Sequence, residues 1–352
     1  MLIRISMESR TDGKRITQAD VARRLGVTQA AVSMAFRNHP RISREVRDRI
    51  RAEAEQLGYV PDPMMTALAA YRNRLRPANY QGVLAWLGHE RPPHDWRHNK
   101  HFTAFFEGAR RTAMRHGFQL EAFDTGKRDR RHLRKAASVL RARNIAGILV
   151  APQPVPGADL SDFPWEDFVA VALGYTLGAP RLHVVAAAQF QATVECVRQL
   201  RETGHRRIGF VLTRDHVERT RRQYLGAYMA EQEMAGLTGQ IPVLMLQQPD
   251  PASLKSWLKK HRPDAIIGSG YLGGRLERLG WRVPEAISLA CPNLPDENSG
   301  VSGVWEMPLD SGGAAADLLV SMLHRGERGV PGTPQTVLVG GRWVAGKTLK
   351  AR

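Results

Sequence analysis

Residues 15–75 read RITQADVARRLGVTQAAVSMAFRNHPRISREVRDRIRAEAEQLGYVPDPMMTALAAYRNRL, and this stretch decides the fold of the N-terminal region. Thr17 can begin a first helix, because its hydroxyl can accept from the amide of Asp20 while the Asp20 carboxylate reaches back. Gly26 follows that helix where a turn needs a positive φ. Thr28 can then cap a second helix, so two helices are predicted to meet at a short turn.

A third helix is predicted after the second. Ser43 can cap it, Gly58 ends it, and Pro61 and Pro63 prevent its continuation. Because its apolar residues recur at helical spacing, this helix is expected to cover the other two. The positions expected to face them are Val46, Ile50, Ala54 and Leu57. Together the three helices predict a small, all-α helix-turn-helix domain over residues 15–62.

The second helix of this domain is expected to carry its functional surface. A short helix fits the major groove of DNA with its N-terminal side chains at the base edges, and arginines surround this one. The competing interpretation is a three-helix bundle that binds protein. The side chains predicted to point outward are Thr28, Gln29, Ala30, Ser33 and Met34.

The same stretch resembles the headpiece of the LacI/GalR repressor family. The pattern of that family is matched in order and spacing by Asp20, Val21, Ala22, Gly26, Val27, Thr28, Val32, Ser33, Gly58, Tyr59 and Pro61. The resemblance implies that Gln29, Ala30 and Met34 read bases. It also implies that Thr28 and Ser33 hold phosphates. Met34 departs from the family, because many members carry Arg there and a Met offers a base only apolar contact.

The resemblance further assigns residues 63–80 to a hinge. In the family this segment orders on the operator, pairs with its dimer mate and inserts a leucine into the minor groove, and Leu68 matches that leucine. A plain linker helix that packs Leu68 onto a core is the alternative. Residues 1–14 are expected to be a disordered lead-in. The complete set of predicted DNA contacts is Thr17, Thr28, Gln29, Ala30, Ser33, Met34, Arg41 and Leu68.

Composition limits the remaining possibilities. The 352 residues carry a formal net charge of +17, which suits a polyanionic partner. Cys196 and Cys291 are too few and too isolated for a disulfide framework or a zinc site. No apolar run is long enough for a signal peptide or a membrane span. We therefore expect a cytoplasmic protein without a metal site, a cofactor or a membrane partner.

Residues 81–352 alternate apolar runs typical of buried strands with amphipathic helical stretches. That alternation predicts a parallel, doubly wound α/β sheet. Two such sets indicate two similar lobes of the periplasmic-binding-protein kind. The lobes are expected to comprise about 81–185 with 308–330, and 186–306 with 331–352.

Two segments of this region resemble the effector-binding and dimerisation domain of the same family. They are LRETGHRRIGFVLT at residues 200–213 and VPEAISLACPN at residues 283–293, and the closing TVLVGGRWVAGKTL matches the family's tail. The resemblance thus covers nearly the whole chain. It implies an effector domain. The order of strands and helices further predicts that the late helix from Asp310 to Arg325 returns to the first lobe.

One motif offers a different function. Residues 268–273 read GSGYLG, a G-x-G-x-x-G after a predicted strand and before a predicted helix. It indicates a nicotinamide-dependent enzyme or redox sensor built on Gly268–Gly273. Against this, the next strand ends at Asn293, where a dinucleotide site needs an acidic residue for the ribose. A strand-end loop opening on a ligand cleft is the favoured interpretation.

Candidate effector contacts lie at strand ends and helix starts, where open α/β sheets bind ligands. Aromatic faces flanked by hydrogen-bonding side chains suit a sugar or a similar polar ring. By the resemblance, Arg221 and Asn293 fall on ligand-contact positions, although an acidic residue is frequent in the family at the second of these. Ordinary packing is the alternative for each residue. The predicted contacts are Trp86, His89, His101, Phe105, Tyr175, Arg221, Ser269, Tyr271, Asn293 and Trp305.

These predictions describe a homodimeric, ligand-responsive transcription regulator, expected to be a repressor and not an enzyme. Each headpiece would read one half of a near-palindromic operator. A small polar effector, expected to be a carbohydrate, would change operator affinity by closing the two lobes. The residues leave open whether that effector induces or co-represses.

Overall fold

The computed structural model describes residues 16–36, 42–59, 80–89, 95–126, 129–237, 240–248 and 250–350. The chain divides into two compact units. One is Met1–Gln81 with His324–Gly326, and the other is Gly82–Leu323 with Glu327–Arg352. We call the first the headpiece and the second the large domain. The predictions for residues 1–14, for Arg41 and for Leu68 in the hinge lie outside the described residues.

The described part of the headpiece contains three helices: α1 (Gln18–Leu25), α2 (Gln29–Phe36) and α3 (Arg44–Gln56). Gly26 has a φ of 67° between α1 and α2, as the turn requires. Ser43 caps α3, because its hydroxyl accepts from the amide of Val46 at 3.4 Å. The helices enclose one small core, whose buried members are Val21, Ala22, Val32, Ala35, Ile50 and Ala54.

The prediction that Val46 faces this core is wrong. Its side chain is 41% exposed, whereas Ile50 is 1% exposed. Helix α3 has 13 residues and α1 and α2 have eight each, so α3 is longer than either helix that it covers. The first turn of α3 therefore extends past the core. Helical spacing alone does not reveal at which residue α3 stops packing against α1 and α2.

The first lobe of the large domain is built on a parallel six-stranded sheet. Its strands are β1 (Gly82–Gly88), β2 (Phe118–Asp124), β3 (Gly147–Val150), β5 (Val169–Leu173), β7 (His183–Ala187) and β13 (Thr336–Val339), in the order β13-β7-β5-β3-β1-β2. A separate small pair joins β4 (Ala158–Asp159) to β6 (Leu177–Ala179). The helices are α4 (Lys100–Arg115), α5 (Arg130–Ala142) and α11 (Pro308–Arg325), with 3-10 turns at Trp96–His98 and Trp165–Asp167. Because helices cover both faces, the inner strands are apolar along their whole length.

The second lobe repeats this design. Its strands are β8 (Ile208–Thr213), β9 (Leu244–Leu246), β10 (Ala265–Ile267), β11 (Ser288–Cys291), β12 (Ser302–Trp305) and β14 (Arg342–Val344), in the order β14-β12-β11-β10-β8-β9. Only the β12–β14 pair is antiparallel among these pairings. The helices are α6 (Gln189–Glu202), α7 (Arg214–Arg219), α8 (Gln223–Met234), α9 (Pro251–His261) and α10 (Leu272–Arg278).

The chain passes between the lobes after β7, after β12 and after β13. The prediction that α11 returns to the first lobe is confirmed, because its buried face joins the core of that lobe. Gly312 makes this close contact possible, since a Cβ there would lie 1.9 Å from the carbonyl oxygen of Phe105. Assigning all of residues 331–352 to the second lobe is wrong. Strand β13 pairs with β7 in the first sheet, and only β14 joins the second.

Among the described residues, no helix is both long enough and apolar enough to cross a membrane.

Candidate DNA-binding surface and effector cleft

The exposed surface of the headpiece lies at the start of α2. The hydroxyl of Thr28 accepts from the amide of Ala31 at 3.1 Å and so caps the helix. Thr28, Gln29 and Ala30 are exposed, while Ser33 and Met34 are half-buried. Beneath them, fully buried Val32 anchors the helix in the core. The five predicted outward positions thus lie at Thr28 and along the first turns of α2, three of them exposed and two half-buried.

The start of α1 is fixed by a second cap. The Asp20 carboxylate accepts from the amide of Thr17 at 3.0 Å and from its hydroxyl at 2.7 Å. These hydrogen bonds, with a smaller contribution from Arg23, lower the pKa of Asp20 below its usual range. Thr17 therefore positions the first helix of the motif. Both helix N-termini present main-chain amides and a positive dipole end, which suits contact with phosphate groups.

In the large domain, side chains from both lobes meet where the strands end. His101, on α4 of the first lobe, has its Nε2 atom 3.5 Å from Oε2 of Glu306, which follows β12 of the second lobe. The His101 ring also contacts Phe105 edge-on, with centroids 4.8 Å apart, and lies 6.2 Å from the ring of Trp305. Three of the ten predicted contacts, His101, Phe105 and Trp305, thus meet at the His101 ring, which also lies beside Glu306 of the other lobe.

Burial changes the ionisation of this group of side chains. Glu306 is 5% exposed, and burial raises its pKa to about 7, although a hydrogen bond from the Tyr224 hydroxyl acts in the opposite direction. Burial lowers the pKa of His101 to about 4. At neutral pH the imidazole is therefore neutral and the carboxyl lies near its midpoint. A contact of this kind can gain or lose a proton when its surroundings change.

Two arginines of the second lobe reach the first lobe. The guanidinium of Arg219 donates to the carbonyl oxygen of Gln153 at 3.1 Å and also to that of Pro154. The guanidinium of Arg221 lies over the ring of Tyr175, 5.2 Å from its centroid. Tyr175 is 8% exposed, so this cation–π contact forms at a largely desolvated ring. Side chains thus connect the two lobes at the ends of β3 and β5 as well as beside Glu306.

Asn293 follows β11 and is held within the second lobe. Its Nδ2 atom lies 3.3 Å from Nε2 of His216, and its Oδ1 atom accepts from the Cys291 thiol at 3.7 Å. Burial lowers the pKa of His216, so that ring is neutral and can accept from the amide. The His216 ring in turn contacts Tyr224 edge-on, with centroids 5.2 Å apart. Asn293 therefore connects with the side chain that binds Glu306.

The structure does not bring all the predicted effector contacts to the cleft surface. Trp86 is 0% exposed and belongs to the core of the first lobe, because β1 is a central strand buried on both faces. Phe105 belongs to the same core but supports the His101 ring. Tyr271 is 74% exposed. His89 and Ser269 are half-buried at the ends of β1 and β10, and their roles stay predictions.

The first glycine of the GSGYLG motif has a packing explanation. A Cβ at Gly268 would lie 2.4 Å from Cδ1 of Leu272 and 3.1 Å from the carbonyl oxygen of Val211, so the first glycine lets α10 approach the sheet. The following strand leads to Asn293, whose amide is engaged with His216. In the part of the chain that the structure describes, no three His, Cys, Asp or Glu side chains are grouped to hold a metal ion.

Sequence reasoning missed several side chains of the cleft. These are Gln153, His216, Arg219, Tyr224 and Glu306. The signal for Glu306 was an acidic residue directly after an apolar strand and two positions before the start of a helix. The others lie inside helices or a loop, where nothing local distinguishes them from surface residues.

Comparison with known families matches both units. Residues 17–62 match the model of the bacterial regulatory proteins of the lacI family. Residues 93–270 match that of the periplasmic binding proteins and sugar binding domain of the LacI family, and residues 197–349 match a periplasmic binding protein-like domain.

Individual relatives agree with these matches. The HTH-type transcriptional regulator PtxS of Pseudomonas plecoglossicida is 27% identical over 281 residues, which cover 75% of this chain and 76% of that protein. The structure of the transcriptional regulator CelR in complex with cellobiose has a TM-score of 0.58 at 18% identity, covering 95% of this chain and 100% of that one. The lac repressor dimer bound to operator and the anti-inducer ONPF has a TM-score of 0.56 at 16% identity, covering 96% and 100%.

Proposed function

Because the chain belongs to the LacI family of bacterial regulatory proteins, we propose that it is a repressor whose operator affinity is set by a small polar effector. The chain is a DNA-binding transcriptional regulator with an effector domain of the sugar-binding type. The proposal adds three points to this: the protein represses transcription, its effector is a carbohydrate, and it acts by binding and not by catalysis. A protein that reads operators in this way works in the cytoplasm.

The observation that carries the DNA-binding part is the exposed start of α2. Thr28, Gln29 and Ala30 are exposed on a capped helix whose opposite side is fixed in the core by Val32. Such a helix can place Gln29 against a base edge, where a Gln pairs best with adenine. Met34 then offers apolar contact, for instance to a thymine methyl group. As a homodimer, the protein would read a near-palindromic operator.

The effector part is supported by the contacts between the lobes. Arg219, Arg221 and His101 each touch the opposite lobe, so a ligand between the lobes must rearrange at least some of these contacts. A ligand that binds one lobe arrangement better than another shifts the population toward it. We propose that this shift changes the order of residues 63–80, where Leu68 would insert into the central base step of the operator.

Selection of bound DNA from a random pool, with the full-length protein, tests this function directly. We expect enriched sites with two inverted half-sites and an easily kinked pyrimidine–purine step at the centre. Binding to the best site should then respond to an effector in a gel-shift titration. Leu68→Ala should weaken binding to that site much more than binding to random DNA, which depends mainly on phosphate contacts.

Recovery of no common sequence would contradict the DNA-binding part. Equal weakening of selected and random DNA by Leu68→Ala would contradict the wedge. If hydrogen exchange showed residues 64–70 equally protected with and without operator DNA, the hinge would be a preformed linker and the proposed link between the two units would fail.

A further inference from the structure

The turn between α7 and α8 has an unusual backbone. Arg221 and Arg222 have φ values of 45° and 63°, so two consecutive residues other than glycine adopt the left-handed conformation. Thr220 anchors the turn, because it is 4% exposed and its hydroxyl donates to the carbonyl oxygen of His216 at 2.8 Å. This reversal carries the Arg221 guanidinium to the cleft, over the ring of Tyr175.

The two cleft arginines differ in how their charge is balanced. Arg219 forms an ion pair with Asp215 at 2.7 Å and donates to two main-chain carbonyls of the first lobe. Among the described residues Arg221 forms no ion pair; its contact is with the face of Tyr175. A guanidinium that lies over an aromatic face keeps N–H donors at its own edge. Arg221 is exposed, so those donors are available to a ligand.

Among the described residues, neither Asp215 nor Glu306 pairs with Arg221. Asp215 is engaged by Arg219, and Glu306 is buried between Tyr224 and His101. Burial raises the pKa of Glu306 to about 7, which reduces its charge at neutral pH. His101 and His216 are neutral because burial lowers the pKa of each.

Asn293, which follows β11, is also uncharged, and it contacts α7, the helix before the turn that carries Arg221. Its amide is engaged with the neutral ring of His216. An amide can bind hydroxyl and carbonyl groups but adds no negative charge. Within the described part of the cleft, the neutral groups Asn293 and His216 therefore accompany a guanidinium, that of Arg221, which has no ion-pair partner.

We propose that the effector is an anion: a hydroxyl-rich, sugar-like molecule whose carboxylate or phosphate is held by Arg221. This inference deepens the proposed function and rests on it, since it names the class of ligand for the same cleft. Carboxylate and phosphate share the oxygen geometry that a guanidinium binds with two parallel hydrogen bonds. The neutral groups around Asn293 would then bind the hydroxyls of the ligand.

The test uses pairs of probes that differ mainly in charge. Calorimetric titration of the full-length protein, without DNA, would compare D-glucose with D-glucuronate, D-glucitol with D-gluconate, and D-glucose with glucose 6-phosphate. In at least one pair the anion should bind about tenfold or more tightly than its neutral partner. The difference should shrink as salt is added, because Arg221 is exposed. Which pair responds distinguishes carboxylate from phosphate.

A matched pair of variants assigns the preference to one side chain. Arg221→Gln should bring the two members of the responding pair to within about threefold of each other. Arg222→Gln should keep the wild-type ratio, because Arg222 has the same left-handed backbone conformation but, within the described residues, forms no ion pair or aromatic contact with the first lobe.

Three results would overturn the proposal: neutral probes binding as tightly as anionic ones, no binding of any anionic probe, or an unchanged ratio in Arg221→Gln. The titrations contain no DNA, so their outcome is separate from that of the operator selection. A protein that prefers anions but selects no operator would contradict the proposed function and leave the ligand preference standing.

Discussion

The headpiece and the effector cleft use side chains in opposite ways. In the headpiece, the candidate DNA contacts of α2 are exposed or half-buried at its outer side, and the six buried core residues among those described hold that helix in place. In the cleft, the central groups come from α4, α7, α8 and the segment after β12; Tyr224 and Glu306 are buried, and His101 and His216 are half-buried. His101 meets Glu306, Glu306 meets Tyr224, and Tyr224 meets His216.

This difference determines how each region should respond to mutation. A contact residue of the headpiece can be replaced without affecting its neighbours, because water or DNA occupies the vacated space and binds any polar group left there. A buried polar group of the cleft depends on its partners, since removing one leaves another unpaired in a site that excludes water. Specificity for DNA can therefore change one residue at a time, whereas the cleft must change as a group.

The largest effect should come from removing the support of the exposed helix. Ile50 is 1% exposed in the headpiece core, and Ile50→Ala should cost about 2–5 kcal/mol of the free energy of unfolding. The described part of this core has only six buried residues, so the headpiece has little stability to lose; it should unfold, and operator binding should be lost. Circular dichroism and gel shifts would measure this.

The control for that change is Val46→Ala, at the exposed position of the same helix. Because Val46 is 41% exposed, its truncation should alter the unfolding free energy by no more than about 0.5 kcal/mol. Melting of the large domain should be unchanged in both variants. If Ile50→Ala also lowered the melting temperature of the large domain, the two units would not unfold independently, and the comparison between them would fail.

A smaller effect is expected at the exposed face of α2. Gln29→Ala should cost about 1–3 kcal/mol of binding free energy and relax the preference at one base pair of each half-site. Met34→Arg should shift the preference toward guanine. Binding to a library of single-base operator variants would measure both. A uniform loss on every sequence would make Gln29 a phosphate contact, and unchanged specificity in the second variant would remove Met34 from base reading.

In the cleft, loss of one hydroxyl should act through its partner. Tyr224→Phe leaves the buried carboxyl of Glu306 without that donor and should destabilise the large domain by about 1–3 kcal/mol. Tyr228→Phe is the matched control, because its hydroxyl donates to the Ile208 carbonyl at 2.8 Å on a separate contact. Only Tyr224→Phe should also alter how stability depends on pH. The same pH response in both variants would place Tyr224 outside the Glu306 group.

Features of the sequence that act locally were sufficient to predict the headpiece. Gly26 and the caps at Thr28 and Ser43 lie within three or four residues of what they control, and the structure has them as predicted. The alternation of strands and helices in the large domain was equally readable, since buried strands must be apolar on both faces. Val46 failed because burial depends on where the neighbouring helices end.

The cleft could be predicted only in part, because its contacts join distant residues. In the sequence, 205 positions separate His101 from Glu306, yet His101 Nε2 lies 3.5 Å from Glu306 Oε2. Arg219 reaches Gln153 across 66 positions. Reasoning from strand ends and helix starts pointed to His101, Trp305 and Tyr175, and the family resemblance pointed to Arg221. A helical arginine that bridges two lobes carries no local signal. Burial of Trp86 was missed for the same reason, since it depends on which strand is central.

The smallest net effect is expected from pH on the His101–Glu306 pair, because its two members act in opposite directions. The pKa of Glu306 is raised from 4.5 to about 7, so the folded protein keeps a proton that the unfolded chain releases between these values. This contribution to stability is lost as pH rises through that range. The pKa of His101 is lowered from 6.5 to about 4, so its contribution is lost as pH falls through that range.

Between about pH 4.5 and 6.5 the two contributions should nearly cancel, and single variants should separate them. Relative to wild type, Glu306→Gln should gain stability with rising pH, and His101→Asn should lose it. Each slope should approach about 1.4 kcal/mol per pH unit, the value for one proton. The double variant should differ from wild type by an amount that hardly changes with pH, since both contributions are absent. Urea unfolding of all four proteins at several pH values measures these differences. If the stability difference from wild type changed with pH in the same direction in both single variants, His101 and Glu306 would not titrate in opposite senses. The cleft would then not differ from the headpiece in the mutual dependence of its side chains.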